Sequence, residues 1–419
     1  MNYKKYLNLK YIFTFSSINY LQSGISFLVS ILLARALGKE DFGYYSYGLV
    51  FTNTIGTLMQ FGTERTLVRD LVQLKKPDLV LWSTAWIWFI CGSIIIFAVT
   101  VWTILFSGLD YKASLIVASC SFLGFARGMA PVAWFDYKGK ANFQSIILVI
   151  DRVLFFISAA IIIFFLKNEK AIIYVSFAQL LCRLITLGIE WNFVLDTTQH
   201  IFKPVYYTIK ELMRNNIWVW LAGIGNLLMT QINQLILNTK FGPKELANYG
   251  LALQIVTIIR LLQTQLLRLM APSIAEVTAN NKNAQQILKK IFRYCGLTFI
   301  LTLCVILPLY LLSPYIILQF IGKDYLTAVP VLNVLYVWIT FYGLALIISQ
   351  FSLGLLLQRL SFISTSVFGL FSVILAHVFV NQYQSVGAAL SLLISHFCSV
   401  LFLFFIVLKK IRSAAKATS

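Results

Sequence analysis

Apolar residues run through this chain in long blocks, parted by short polar stretches rich in Lys, Gly and Asp. Within the blocks no period of two develops, so strand-type alternation is absent. Lipid offers an unpaired backbone group no partner, and about 20 residues of helix cover the hydrocarbon core. The pattern therefore predicts about twelve membrane-crossing helices, at 11–34, 44–62, 79–106, 113–134, 142–166, 171–195, 215–239, 247–271, 294–320, 329–355, 360–381 and 386–408. The first block follows Lys4 and Lys5 and ends in Ala34-Arg35-Ala36, which imitates a cleavable signal. Its length and the interruptions at Asn19 and Gln22 instead mark a retained helix.

Composition agrees with the pattern. Hydrophobic residues make up 59% of the 419 and charged residues 12%, against about 25% charge in a soluble domain. A net charge of +19 invites a nucleic-acid partner, but the positions of the charges argue against one. With a cytoplasmic N-terminus, about 21 of the 34 Lys and Arg fall on inner loops and tails and about eight on outer loops. Inner clusters include Lys4/Lys5/Lys10, Arg65/Arg69/Lys75/Lys76, Lys203/Lys210/Arg214, Lys282/Lys289/Lys290/Arg293 and Lys409/Lys410/Arg412/Lys416. This asymmetry places both termini in the cytoplasm and gives the basic loops a role in topology and in contact with anionic membrane lipids. The six cysteines all lie in apolar stretches without metal-ligand spacing, which makes them buried hydrophobes. No GxxxxGK[ST] loop, metal site or other cofactor site is present, and no loop is long enough to build a catalytic domain; the expectation is a protein that is not an enzyme.

The loops also carry a repeat. Gly38-Lys39-Glu40-Asp41-Phe42-Gly43-Tyr44-Tyr45 follows the first helix, and Gly242-Pro243-Lys244-Glu245-Leu246-Ala247-Asn248-Tyr249 follows the seventh. Glycine, an acid, an apolar residue, a small residue and tyrosine recur in step. An even number of helices per half makes this a parallel repeat, related by an axis along the membrane normal. The expected organisation is a six-helix lobe over 1–195, an amphipathic cytoplasmic linker over 196–214, a second six-helix lobe over 215–408 and a basic tail over 409–419, the lobes enclosing a central cavity.

Candidate chemistry sits inside the helices. Arg127, Arg152, Arg183 and Arg260 lie near segment midpoints, where one charge costs roughly 2.5–3.5 kcal/mol on insertion scales. Asp151 and Glu190 are the acids at comparable depth, too few to neutralise four arginines. Glu190 follows Arg183 by two turns on one helical face, whereas adjacent Asp151 and Arg152 point about 100° apart and are not expected to pair simply with each other. Two readings stand: arginines that lock helices together, or a cationic lumen whose guanidinium forks bind phosphate. Asp151, Glu190 and the mid-segment His396 are candidates to exchange a coupling proton or sodium ion, although a packed histidine is the plainer reading of His396. Amides at Asn226, Gln231, Asn233 and Gln234 either join helices or bind sugar hydroxyls. Gly124 and Gly128 form a small-xxx-small pair for close packing.

Four motifs carry a family resemblance: the Gly38–Tyr45 loop, Phe61-Gly62-Thr63-Glu64-Arg65, Pro131-Val-Ala-Trp134-Phe-Asp-Tyr137-Lys-Gly139, and Ile321-Gly322-Lys323-Asp324-Tyr325 with Ala328. Their order and spacing resemble the polysaccharide-exporting branch of the multidrug/oligosaccharidyl-lipid/polysaccharide (MOP) superfamily, nearest to O-antigen-type flippases of lipid-linked repeat units. The resemblance implies alternating access in the bacterial inner membrane, an undecaprenyl-diphosphate-linked glycan as substrate, and a polysaccharide polymerase and chain-length regulator as partners. A multidrug or other lipid exporter of the same fold is the alternative; its usually cationic cargo would favour acids and aromatics over arginines.

Overall fold

A computed structural model describes residues 9–73, 76–105, 108–166, 170–198, 206–279, 284–355 and 357–418. Every regular element among them is helical. Lys4, Lys5, Lys75, Lys203, Lys282 and the middle of the expected linker lie outside the described residues.

The first unit, Met1–Ile224, holds α1 (Leu9–Met59), α2 (Thr63–Gln73), α3 (Pro77–Leu105), α4 (Tyr111–Gly128), α5 (Val132–Tyr137), α6 (Ala141–Phe165), α7 (Ala171–Thr197) and the start of α8 (Tyr206–Thr230). The second, Gly225–Ser419, holds the rest of α8, then α9 (Ile232–Phe241), α10 (Pro243–Ala279), α11 (Ala284–Ile316), α12 (Val329–Gly354) and α13 (Gln358–Thr418). Nine helices among the described residues are long and apolar enough to cross a membrane. Two are long enough for two crossings: Thr14–Met59 spans 46 residues and Arg359–Ile411 spans 53, against a core about 30 Å thick at 1.5 Å per residue. Each contains a backbone break, at Gly38 (φ 78°) and Gln384 (φ 51°).

The two repeated loops adopt one conformation. Gly38 has φ 78° and ψ 173°, and Gly242 has φ 78° and ψ −176°, a region open almost only to glycine. In each unit the apolar residue four positions on, Phe42 or Leu246, is completely buried, and the tyrosine seven positions on, Tyr45 or Tyr249, is buried too. The acids differ in their partners: Asp41 pairs with Lys112 in the first unit, whereas Glu245 accepts from Ser385 at 2.7 Å in the second.

The surface confirms the solvent. Phe97, Leu105, Phe164, Phe165 and Leu311 are each at least two-thirds exposed, on helices apolar all round, so only lipid can cover them. Within the first unit α1 and α4 meet at glycines: a Cβ on Gly124 would lie 2.7 Å from the Thr52 carbonyl oxygen, and one on Gly128 2.4 Å from the Met59 sulfur. Close packing is thus the role of the small-xxx-small pair. The Phe61-Gly62-Thr63 turn receives α8. Phe61 stacks on Trp220 with ring centroids 4.5 Å apart, Gly62 leaves room for the backbone at Trp220, and the Thr63 hydroxyl accepts from Trp88 at 2.7 Å. In the second unit the buried Asn233 carbonyl faces Ser372 at 3.4 Å, a helix-joining amide. Cys120 and Cys182 are buried as expected, but Cys304 is exposed, because its face of α11 is apolar and lipid can cover a thiol there.

Candidate anion site in the first unit

Arg127 stands in the last turn of α4, Asp151 and Arg152 in the middle of α6, and Arg183 and Glu190 on α7. α7 packs on both α4 and α6 and so brings the five side chains into a single charged cluster. The Arg183 Nη2 donates to Glu190 Oε2 at 2.8 Å, with the two side chains 3% and 0% exposed. The Arg183 Nη1 donates to the Thr186 hydroxyl at 3.4 Å, and that hydroxyl lies 3.3 Å from Asp151 Oδ1 as donor. Asp151 Oδ2 in turn lies 3.6 Å from Arg152 Nε. The relay therefore runs Arg152, Asp151, Thr186, Arg183, Glu190 across two helices.

Two expectations from the sequence meet this geometry differently. The Arg183–Glu190 spacing does produce a pair. The adjacent Asp151 and Arg152 also form an ion pair, against the expectation from their 100° separation, because the long arginine side chain folds back along α6. That pair is loose: Arg152 Nε makes no hydrogen bond among the described residues. Thr186, missed in the sequence, carries the link between the helices. It lies three residues after Arg183 and four before Glu190, a helical spacing that the sequence displays.

The cluster is cationic. Three guanidinium groups face two carboxylates, so one positive charge is left over even with both acids ionised. The Arg127 side chain has neither ion pair nor hydrogen bond among the described residues, although its field reaches Arg152, Arg183, Asp151 and Tyr45. Arg183 Nε and Glu190 Oε1 are buried without a hydrogen-bond partner among the described residues. An unspent guanidinium donor and surplus positive charge are features that a bound anion could satisfy. Tyr45 braces the site by donating to Gln179 Oε1 at 2.9 Å, and Ser119 donates to Ser176 at 2.8 Å, tying α1 and α4 to α7.

The remaining candidates belong to the second unit. Arg260 stands on α10 with its side chain exposed and without an ion pair among the described residues. His396 is 7% exposed on α13, its ring centroid 5.8 Å from Trp338 and 5.9 Å from Tyr342, with Nδ1 unbonded. That is the setting of a packed histidine. Among the described residues no three His, Cys, Asp or Glu side chains gather as a metal site.

Long apolar helices in two units that share a repeated turn, with a charged cluster at membrane depth, define a multi-pass transporter. Solved structures agree on the fold. The lipid II flippase MurJ in an inward closed conformation aligns with a TM-score of 0.72 at 16% identity, covering 96% of this chain and 90% of its own. An inward-facing multidrug resistance MATE transporter of the MOP superfamily aligns at 0.75 and 17%, covering 95% and 96%. A MOP transporter from Pyrococcus furiosus, described as having a binding pocket of reversed polarity, aligns at 0.62 and 16%, covering 96% of each chain. No curated protein matches the sequence significantly. The profile of the family described as "Polysaccharide biosynthesis protein" matches residues 9–278, more than half the chain. The chain belongs to that family and has the MOP fold.

Proposed function

We propose that this protein is a flippase that carries undecaprenyl-diphosphate-linked oligosaccharide units from the inner to the outer leaflet, for O-antigen or another surface polysaccharide. The observation that carries the reading is the surplus positive charge of Arg127, Arg152 and Arg183 over Asp151 and Glu190, three guanidinium groups that can fork onto a diphosphate. Arg260 serves the same substrate from the second unit. Read with Gly38 and Gln384 as turns and α8 with α9 as one crossing, the helices number twelve, with both termini cytoplasmic in a bacterial inner membrane. The direction suits the membrane potential: moving one negative charge out of a negative interior gains about 2.3 kcal/mol per 100 mV, and a diphosphate roughly 4–5. A proton or sodium gradient acting at Asp151, Glu190 or His396 would add to this, and a polymerase and chain-length regulator would consume the product.

The MATE likeness keeps a drug exporter as the rival, but cationic cargo would be repelled by this cluster. The deciding experiment follows lipid-linked oligosaccharide in cells lacking the protein, then in cells given wild type or Arg127→Met. Arg127 has no ion-pair partner to strand, so its loss separates binding from folding. Inner-leaflet accumulation relieved by wild type and not by the variant supports the flippase and its anion site. Accumulation relieved equally by both removes Arg127 from the site, and no accumulation sinks the flippase.

A further inference from the structure

A groove of about 490 Å³ opens on the first unit between α3, α4 and α7. Trp82, Trp86 and Phe89 of α3, Phe125 of α4, and Leu187 and Trp191 of α7 form its walls. The walls are built, not loose. Trp191 donates its indole N–H to the Met129 carbonyl at 3.0 Å, its ring lies 5.4 Å from Trp82, and Phe89 meets Phe125 edge-on at 6.1 Å. Trp86 and Phe89 remain 36% and 49% exposed, so the groove is open sideways.

Its position is informative in two ways. First, it lies at the end of the unit formed by the start of α3 and the ends of α4 and α7. Arg69, Lys138 and Lys140 belong to the same end, which the positive-inside rule assigns to the cytoplasmic leaflet. Second, it borders the charged cluster along α7. On one face of α7 Leu187 lies one turn after Arg183 and one turn before Trp191, while on α4 the groove-lining Phe125 and Met129 stand on the side of the helix away from Arg127.

We propose that this groove is the inner-leaflet loading site for the polyprenyl tail of the substrate, holding the isoprene units next to the diphosphate while the arginines hold the diphosphate itself. The inference rests on the flippase reading and adds where the tail is seated before transport. One amphipathic ligand satisfies both halves of the arrangement: the wall is apolar and aromatic, and the adjoining charge is cationic. A phospholipid acyl chain satisfies only the first, since its single phosphate stays at the interface.

The test uses the full-length protein in vesicles of phosphatidylethanolamine and phosphatidylglycerol, with undecaprenyl diphosphate bearing a diazirine on an isoprene unit near the diphosphate. Label is expected on the peptides containing Trp82–Phe89 and Leu187–Leu195. It should fall about tenfold with excess unlabelled undecaprenyl diphosphate, and also in Leu187→Trp, which fills the groove. Phe89→Ser, at a half-exposed position, should lower labelling in the same direction and guards against misfolding of Leu187→Trp. Label displaced equally by added phosphatidylglycerol would make the groove an ordinary lipid seat and overturn the proposal. Label elsewhere, with transport of unlabelled substrate intact, would overturn the groove and leave the flippase standing. Loss of transport in the wild-type vesicles would overturn the flippase reading separately.

Discussion

The Arg183–Glu190 pair makes a prediction in which stability and binding move in opposite directions. Both side chains are buried, at 3% and 0% exposure, and the bond between them is 2.8 Å. Removing one partner of such a pair costs about 3–5 kcal/mol, because the other charge is left in a low-dielectric interior. Replacing both by apolar residues of similar size is often neutral. Arg183→Met and Glu190→Gln should therefore each destabilise by about 3–5 kcal/mol, and Arg183→Met combined with Glu190→Leu by clearly less than their sum. Unfolding in detergent can be followed by a maleimide reacting with buried Cys120 and Cys182, after exposed Cys304 is changed to Ser. The binding arm runs the other way. A carboxylate about 8–12 Å from a bound phosphate repels it by about 1.4–2 kcal/mol at an effective dielectric near 20. Glu190→Gln should thus tighten inorganic pyrophosphate about ten- to thirtyfold while weakening the fold. Single losses that add within about 0.5 kcal/mol would refute the coupling. Affinity that falls along with stability would refute the repulsion of a bound phosphate by Glu190.

Arg127→Met removes a charge that has no ion-pair partner, so thermal stability should hold or rise while pyrophosphate affinity falls about ten- to hundredfold, read by calorimetry. Gly124→Val should cost about 1–3 kcal/mol, since its Cβ would press on the Thr52 backbone 2.7 Å away; Gly128→Ala should cost less because Met59 can move, and unfolding curves for the two check the order. Gly38→Ala and Gly242→Ala should each lose about 1–3 kcal/mol, and similarly, because the two glycines share one backbone conformation. Cysteines introduced at Lys138 and Lys323 should label from opposite sides of sealed vesicles, which tests the orientation taken from the positive-inside asymmetry.

The helices were legible in the sequence because lipid imposes a length and a polarity on each crossing, and the repeat was legible because glycine marks a backbone that other residues avoid. The deep arginines were visible for the same reason: a charge in an apolar block stands out. Their partners were harder to read. The Arg183–Glu190 pair follows from helical spacing, but the Asp151–Arg152 contact depends on how a flexible side chain folds back, which Cα directions do not determine. Thr186 went unnoticed because threonines are ordinary in membrane helices; only the approach of α6 gives it a carboxylate to face. The groove was hidden more thoroughly. Trp82, Trp86 and Trp191 lie far apart in the chain, and their rings converge only when α3 and α7 are side by side.

The repeated turn and the unequal charges together argue for a division of labour. Gly38 and Gly242 show both units built on the same backbone device, so a shared ancestry of their helical frames is the simplest account of the match. Yet the Arg127, Arg152 and Arg183 cluster with its two acids belongs to the first unit, while among the described residues the second offers His396 beside Trp338 and Tyr342 and the exposed Arg260. A symmetric frame tolerates such asymmetry because packing is set by glycines and apolar faces, whereas charge is set by a handful of positions that packing leaves free. Each guanidinium is costly at this depth, and three in one unit with too few acids is an arrangement that folding alone does not require. An anion supplied by a substrate is what would balance it.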